Sequence, residues 1–288
     1  MKTGRKLVGA TLALAMGCGS PGDDARSTVE LERYCAVARQ ADLESWVGDV
    51  VTRCETRDEE VTCSVSRAQS ALEPITLAGA PDLRRALPAG DGRMLLSLAD
   101  GRLLLTAADG TVERELAAWA SDPWVSDDGA RAAWIGLAEG LSEWEPGAPT
   151  VVVAQDLADG APSVLAEDEL ASAPRPIPGS RDVLFVSART GLASYWVAGP
   201  GHEPRQLTNL GLTEPGQPSV PVAERELTWS GSALFYAVDD RVLRLTLDGE
   251  SREVGPGRWP RARADGSVLA LVGGGSACAA IYPAGGAP

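Results

Sequence analysis

From about Val50 onward the chain alternates short apolar runs with polar turns. Met94 to Leu98 is followed by Asp100-Gly101, Leu103 to Ala107 by Asp109-Gly110, and Val112 to Leu116 comes next. Short runs rich in Val, Leu, Ile, Trp and Tyr, broken by Asp-Gly turns at hairpin spacing, predict three successive antiparallel strands. Val50 to Glu55 and Val61 to Val65 predict another hairpin around the polar turn Thr56 to Glu60. Before Trp46 the pattern is mixed. Leu31, Cys35 and Ala38 share a helical face while turn-forming and β-branched residues interrupt it, so Thr28 to Trp46 reads as a short helical or irregular segment.

The strand grammar repeats. Around Asp91-Gly92, Asp128-Gly129, Ser180-Arg181-Asp182, Ser230-Gly231 and Asp265-Gly266, a polar or Pro-containing approach leads through a tight turn into an apolar strand. The intervals are about 34 to about 52 residues. A unit of that length accommodates four strands, and such a sheet buries both faces only by packing against copies of itself. The expectation is an all-β fold, a β-propeller of five or six four-stranded blades. Residues 83–288 form the propeller, with Gly136 to Pro149 a loop insertion. Residues 29–82, which hold three cysteines, supply either a degenerate first blade or only the strand that closes the ring.

The N-terminus follows another rule. Lys2, Arg5 and Lys6 precede an apolar run from Leu7 to Met16 that ends at Gly17-Cys18. The run is too short to span a bilayer and has the form of a secretory signal, so residues 1–17 read as a signal peptide. Ala15-Met16-Gly17-Cys18 resembles the lipobox of bacterial lipoproteins, with Ala15 where Leu is usual. The resemblance implies acylation of Cys18 as the first mature residue. Gly19, being other than Asp, implies retention at the outer membrane facing the periplasm; plain secretion is the alternative. Ser20 to Ser27 is polar apart from Ala25, so residues 18–28 read as a lipidated, flexible tether.

With Cys18 assigned to lipid, Cys35, Cys54, Cys63 and Cys278 remain, an even set that in an exported protein favours two disulfides among three connectivities. The predicted hairpin sets Cys54 across from Cys63, and Cys35 with Cys278 follows by elimination. Four buried thiols are the alternative. The net charge is -14, and the only two lysines, Lys2 and Lys6, lie in the signal segment. An acidic surface with no basic stripe excludes nucleic acid as a partner and leaves membrane attachment to the lipid.

Asp122-Pro123-Trp124-Val125-Ser126-Asp127-Asp128-Gly129, followed by Ala130 to Ile135, resembles the blade motif of TolB-like β-propellers. A second copy runs from Pro176 through Asp182 into Val183 to Arg189, then Tyr195-Trp196-Val197 and Arg205-Gln206-Leu207-Thr208. Weaker copies surround Trp229 and Trp259, and the resemblance covers roughly Leu83 to Val272. It implies a propeller that binds another envelope protein. A glycan or small-ligand module is the alternative, and a polysaccharide-acting enzyme using turn carboxylates the lesser one.

Candidate chemistry is sparse. His202 is the only histidine, and no Gly-x-Ser-x-Gly elbow accompanies it, so no triad is expected. One histidine and disulfide-bound cysteines cannot assemble a typical zinc site, and no metal or other cofactor is expected. Asp58-Glu59-Glu60, Asp127-Asp128, Glu167-Asp168-Glu169 and Asp239-Asp240 lack the spacing of a calcium loop and read as solvated turn residues. Trp124, Trp134, Trp196, Trp229 and Trp259 fall at matched places in the repeats and read as blade packing. Trp144, in the insertion between Glu143 and Glu145-Pro146, is the candidate exposed contact residue.

Overall fold

The computed structural model describes residues 44–47, 50–57, 60–67, 73–77, 82–141, 143–191, 193–209, 227–238, 240–263, 265–272 and 279–283. The expected signal segment, Cys18, the tether, Cys35, Cys278 and the insertion residue Ser142 lie outside them. The described chain is built of six antiparallel sheets in sequence order.

The first blade comprises β1 (Glu44–Val47), β2 (Val50–Arg57), β3 (Glu60–Arg67) and β4 (Glu73–Leu77). The second comprises β5 (Leu83–Pro88), β6 (Met94–Leu98), β7 (Leu103–Thr106) and β8 (Val112–Ala117). β9 (Ala120–Val125), β10 (Arg131–Leu137), β11 (Thr150–Asp156) and β12 (Ser163–Glu167) make the third. The fourth contains β13 (Ala171–Pro176), β14 (Val183–Ser187), β15 (Ser194–Gly199) and β16 (His202–Asn209). In the fifth, β17 (Leu227–Ser230), β18 (Ala233–Val238), β19 (Arg241–Thr246) and β20 (Ser251–Pro256) pair in order. The sixth has three strands among the described residues, β21 (Arg258–Ala262), β22 (Val268–Leu271) and β23 (Ala279–Tyr282).

Neighbouring blades meet through their first strands: β1 touches β5, β5 touches β9, β9 touches β13, and β17 touches β21. The first strands therefore line the axis and the last strands form the rim, as in a β-propeller. Apolar clusters fill the spaces between blades. Cys54, Val61, Met94 and Leu96 join the first two, Leu87, Leu105, Trp124 and Trp134 the second and third, and Ile135, Val152, Phe185 and Trp196 the third and fourth. Leu184, Tyr195, Trp229 and Tyr236 join the fourth to the fifth, and Phe235, Val242, Val268 and Ala270 the fifth to the sixth. Tyr195 and Tyr236 meet edge to face at 5.3 Å between centroids, a favourable arrangement for their ring quadrupoles.

Polar ties reinforce the apolar seams. Arg93 Nη1 reaches the Leu157 carbonyl of the next blade at 3.0 Å, Arg131 Nη1 the Ser180 carbonyl, and Arg205 Nη2 the Leu247 carbonyl at 2.9 Å. Cys54 and Cys63 face each other in the β2–β3 register and are disulfide bonded, with Cα atoms 4.0 Å apart. That bond sits inside the seam between the first and second blades.

The axial strands share a distortion. In β9, β13 and β21 the register slips by one residue against the second strand of the blade, a bulge. Each bulge contains a left-handed residue followed by proline: Asp122 (φ 49°) before Pro123, Ala173 (φ 48°) before Pro174, and Trp259 (φ 49°) before Pro260. Proline is tolerated because an axial strand is a sheet edge and its missing N–H interrupts no ladder. A non-glycine left-handed residue costs on the order of 1–2 kcal/mol, which the surrounding packing offsets three times. The rim strands are polar instead, with Glu113, Arg114 and Glu115 in β8, His202, Glu203 and Arg205 in β16, and Arg252 and Glu253 in β20.

Candidate functional site

Strand alternation sorts the connections onto two faces. Links from first to second and from third to fourth strands emerge together on one face. Links from second to third strands and from blade to blade emerge on the other. The first face carries tight turns with left-handed Asp91, Gly92, Gly110, Gly129, Gly179, Gly201, Gly231, Gly249 and Gly266, and the second has fewer among the described residues, at Gly101, Gly191 and Asp240. The second carries the 138–149 insertion between β10 and β11. Variation on a rigid scaffold concentrates where loops can lengthen without disturbing the sheets, so the second face is the place to look for function.

The insertion is held in shape by its own backbone. Ala138 N donates to the Pro149 carbonyl at 3.0 Å, Leu141 N to the Ala138 carbonyl at 3.2 Å, and Ala148 N to the Glu145 carbonyl at 2.9 Å. It carries Trp144, 50% exposed, back across the second blade. There the indole stacks on Trp119, with ring centroids 6.2 Å apart and planes within 7°. Trp119 in turn rests on Gly101. A Cβ at that position would stand 2.5 Å from Trp119 Cδ1, and Ala120 N anchors the same backbone by donating to the Gly101 carbonyl at 2.8 Å.

Asp100, Arg102, Ala118, Trp119, Glu143 and Trp144 line a cleft of about 440 Å³. Arg102 Nε donates to Asp100 Oδ2 at 2.7 Å. The Arg102 amide and guanidinium hold the Asp100 carboxyl below its ordinary range, and the same bond raises Arg102. The cleft thus offers the outer face of the Trp144 indole beside the Asp100–Arg102 ion pair and Glu143. An exposed indole face of this kind can stack on a planar or proline-bearing group while leaving its polar edge in water.

A second cluster lies at the axis. Arg175, the residue after the β13 bulge, is 0% exposed, and Arg261, at the corresponding place in β21, is 5% exposed. The Arg175 guanidinium lies over the Trp124 ring at 3.6 Å from the centroid, a cation–π contact strengthened by exclusion of water. Arg85 Nη1 donates to the Pro123 carbonyl beside it at 3.4 Å, and Asp122 Oδ2 accepts from Ala173 N at 3.3 Å. Burial pushes Arg175 well below the usual guanidinium range, Arg85 and Arg261 oppose its charge further, and Asp122 supports it. Sequence reasoning did not single out this cluster. The signal available to it was the repeated Pro-Arg in Pro174-Arg175 and Pro260-Arg261.

The other candidates are scattered. His202 is exposed on the turn-rich face, its Nε2 3.4 Å from Asp182 Oδ1, and Trp144 lies in a link of the opposite face. Asp128 occupies an exposed turn, and Asp240 pairs with Arg258. Asp168 differs from the solvated residue expected, since its side chain is 3% exposed and bound to Arg189. Trp124, Trp134, Trp196 and Trp229 are buried between blades, whereas Trp259 occupies an axial bulge. Among the described residues, no three His, Cys, Asp or Glu side chains converge as a metal site, and no helix is long and apolar enough to cross a membrane.

No protein-family model matches the chain, and no curated protein matches it in sequence. Solved structures do. TolB from Acinetobacter baumannii superposes with a TM-score of 0.50 at 16% identity over 78% of this chain, which spans only 58% of that protein's length. An oligogalacturonate lyase from Vibrio parahaemolyticus gives 0.51 at 11% identity over 85% of this chain and 83% of its own. The tricorn protease gives 0.51 at 12% identity over 85% of this chain and 30% of its own. At such identities the likeness is one of fold, a TolB-like β-propeller shared by proteins of different activities.

Proposed function

We propose that this chain, a TolB-like β-propeller, is an exported, lipid-anchored envelope protein that binds another envelope protein through its loop-rich face. The basic, apolar and Gly17-Cys18 pattern of the first eighteen residues supports export and acylation at Cys18. Placement at the outer membrane, facing the periplasm, follows from Gly19 on the same reading. The observation that carries the binding role is the half-exposed Trp144 stacked on Trp119 at the edge of an open cleft. An aromatic held in one orientation loses little entropy on binding, which is why tryptophan dominates contact energy in protein interfaces. Binding is favoured over catalysis because two acidic side chains of that face, Asp100 and Asp168, are each committed to an arginine.

Cross-linking in living cells, followed by identification of captured proteins, tests the reading with the native chain, Cys18→Ala and Trp144→Ala. A specific envelope protein captured by the native chain and lost with Trp144→Ala supports it. Equal capture by Trp144→Ala counts against the cleft, and a Cys18→Ala chain that remains membrane-bound and fully processed counts against lipidation. The parallel indoles favour a second reading, a sugar ring stacked on Trp144. Tryptophan fluorescence that stays unchanged across a panel of envelope sugars would exclude it.

A further inference from the structure

Arg175 has two donors with nowhere to go. Its Nη1 reaches the Pro174 carbonyl at 3.2 Å, while its Nε and Nη2 are buried and meet no hydrogen-bond acceptor. Buried polar groups are normally paired, and a buried charge normally more so. The indole of Trp124 supports the cation from one side only, since a π face accepts charge but leaves the in-plane N–H groups unanswered.

The surroundings are built from three different blades. β5, β13 and β21 are all axial strands, and each sends an arginine, Arg85, Arg175 or Arg261, toward the same region. Arg85 is only half-buried and stands closer to the start of its strand than Arg175 does, hence nearer the loop-rich face. Ser121, Asp122 and Ser172, also partly exposed, occupy the early part of β9 and β13 on the same approach. An anion moving down the axis from that face would meet Arg85 first and the in-plane donors of Arg175 behind it.

We propose that the propeller axis binds a single carboxylate, received by Arg85 and held at depth by Arg175. A guanidinium presents parallel donors that match the two oxygens of a carboxylate. Asp122, fixed in the same ring by Ala173 N, repels a doubly charged phosphate more than a singly charged carboxylate, which selects the smaller charge. The carboxylate can belong to a small organic acid or to the C-terminus of a peptide. The site is separate from the Trp144 cleft and does not depend on that cleft's role.

The test is calorimetry and thermal melting of the full mature chain with acetate, with an N-acetylated Gly-Gly-Gly peptide and with the same peptide amidated, against chloride at matched ionic strength. Acetate is expected to raise the melting temperature where chloride does not. Tighter binding of the acid peptide than of acetate, with none by the amide, assigns the site to a peptide terminus, and acetate binding equal to the peptide's assigns it to small acids. Arg175→Met and Arg85→Gln should each weaken binding at least about tenfold, as loss of a charged hydrogen bond does. Should Arg175→Met fail to fold, Arg85→Gln decides. Equal responses to acetate and chloride, no response to either, or unchanged affinity in the variants would overturn the proposal.

Discussion

Asp168 Oδ2 receives both Arg189 Nε, at 2.8 Å, and Arg189 Nη2, at 2.7 Å, and so ties the link leaving the third blade to a turn of the fourth. Asp168 Oδ1 accepts from Leu170 N at 3.0 Å, while Arg189 also reaches the Glu167 carbonyl and lies over Trp196. Removing the carboxylate leaves a partly buried cation facing backbone and indole. Asp168→Ala is therefore expected to cost about 3 kcal/mol, read from urea denaturation. Asp168→Asn should cost less because it keeps an acceptor for Leu170. A cost below about 0.5 kcal/mol, the range of ordinary surface substitutions, would show that the pair does not tie the blades.

Gly129 and Gly179 isolate contact from conformation. Both are left-handed, at 71°, on the turn-rich face. A Cβ on Gly179 meets nothing within 4 Å, whereas on Gly129 it would lie 2.3 Å from Gly90 N, in the second blade, whose amide donates to the Gly129 carbonyl. Gly179→Ala should cost about 1 kcal/mol from backbone strain alone. Gly129→Ala should cost at least about 3 kcal/mol because two backbones must separate. Equal melting temperatures for the two variants would contradict this.

The Cys54–Cys63 bond closes a short hairpin within the seam of the first two blades. The chain-entropy model gives about 2.7 kcal/mol for a loop of this length. The Cys54→Ala, Cys63→Ala double variant should lose about that much. Hydrogen exchange should quicken mainly in β2 and β3 rather than across the fourth and fifth blades, because a seam couples nearest neighbours most strongly.

Acid should weaken the turn-rich face. Burial opposes ionisation of Asp128, but the Ser126 hydroxyl, the Ala130 amide and Arg131 outweigh it and hold the carboxyl below its ordinary range. Burial likewise opposes Asp265, and Ser267 with Arg263 overcomes it. Because folding lowers these values, the unfolded chain takes up protons first as pH falls below about 4. The stabilisation is complete above that pH and is lost as the folded groups titrate. Urea midpoints measured between pH 5 and pH 3 should fall, and less steeply in Asp128→Asn than in the native chain.

Trp144 should matter for contact and not for folding. Trp144→Ala is expected to change stability by no more than about 0.5 kcal/mol, and to remove the emission component that stacking on Trp119 perturbs. A loss of several kcal/mol would mean that the indole closes the blade seam instead.

Strand placement was legible because turn chemistry is local. The hairpin turn read at Thr56 to Glu60 proved tighter, since β2 continues to Arg57 and β3 begins at Glu60, twist and pairing having carried the polar residues into the ladder. Met94 to Leu98 and Val112 to Leu116 appear as β6 and β8 with little change. Trp144 stood out because it broke the repeat. Its partner Trp119 broke the repeat too, but their stacking depends on a loop that crosses between blades, a relation with no sequence period. Arg175 was harder still. An arginine in a strand reads as a surface residue by composition, and only the bulge before Pro174 explains why this one turns inward. Asp168 was misjudged for the same reason, its neighbours Glu167 and Glu169 suggesting a solvated run.

The charged rim strands restrict how molecules of this shape can crowd together. Each rim exposes backbone groups that another sheet could extend, yet Glu113, Arg114 and Glu115 in β8 and Arg252 and Glu253 in β20 would have to shed water first. Neighbouring copies can therefore stand side by side without fusing into a continuous sheet. Discs that resist joining at their edges keep both flat surfaces, with their turns and the 138–149 insertion, open at high density.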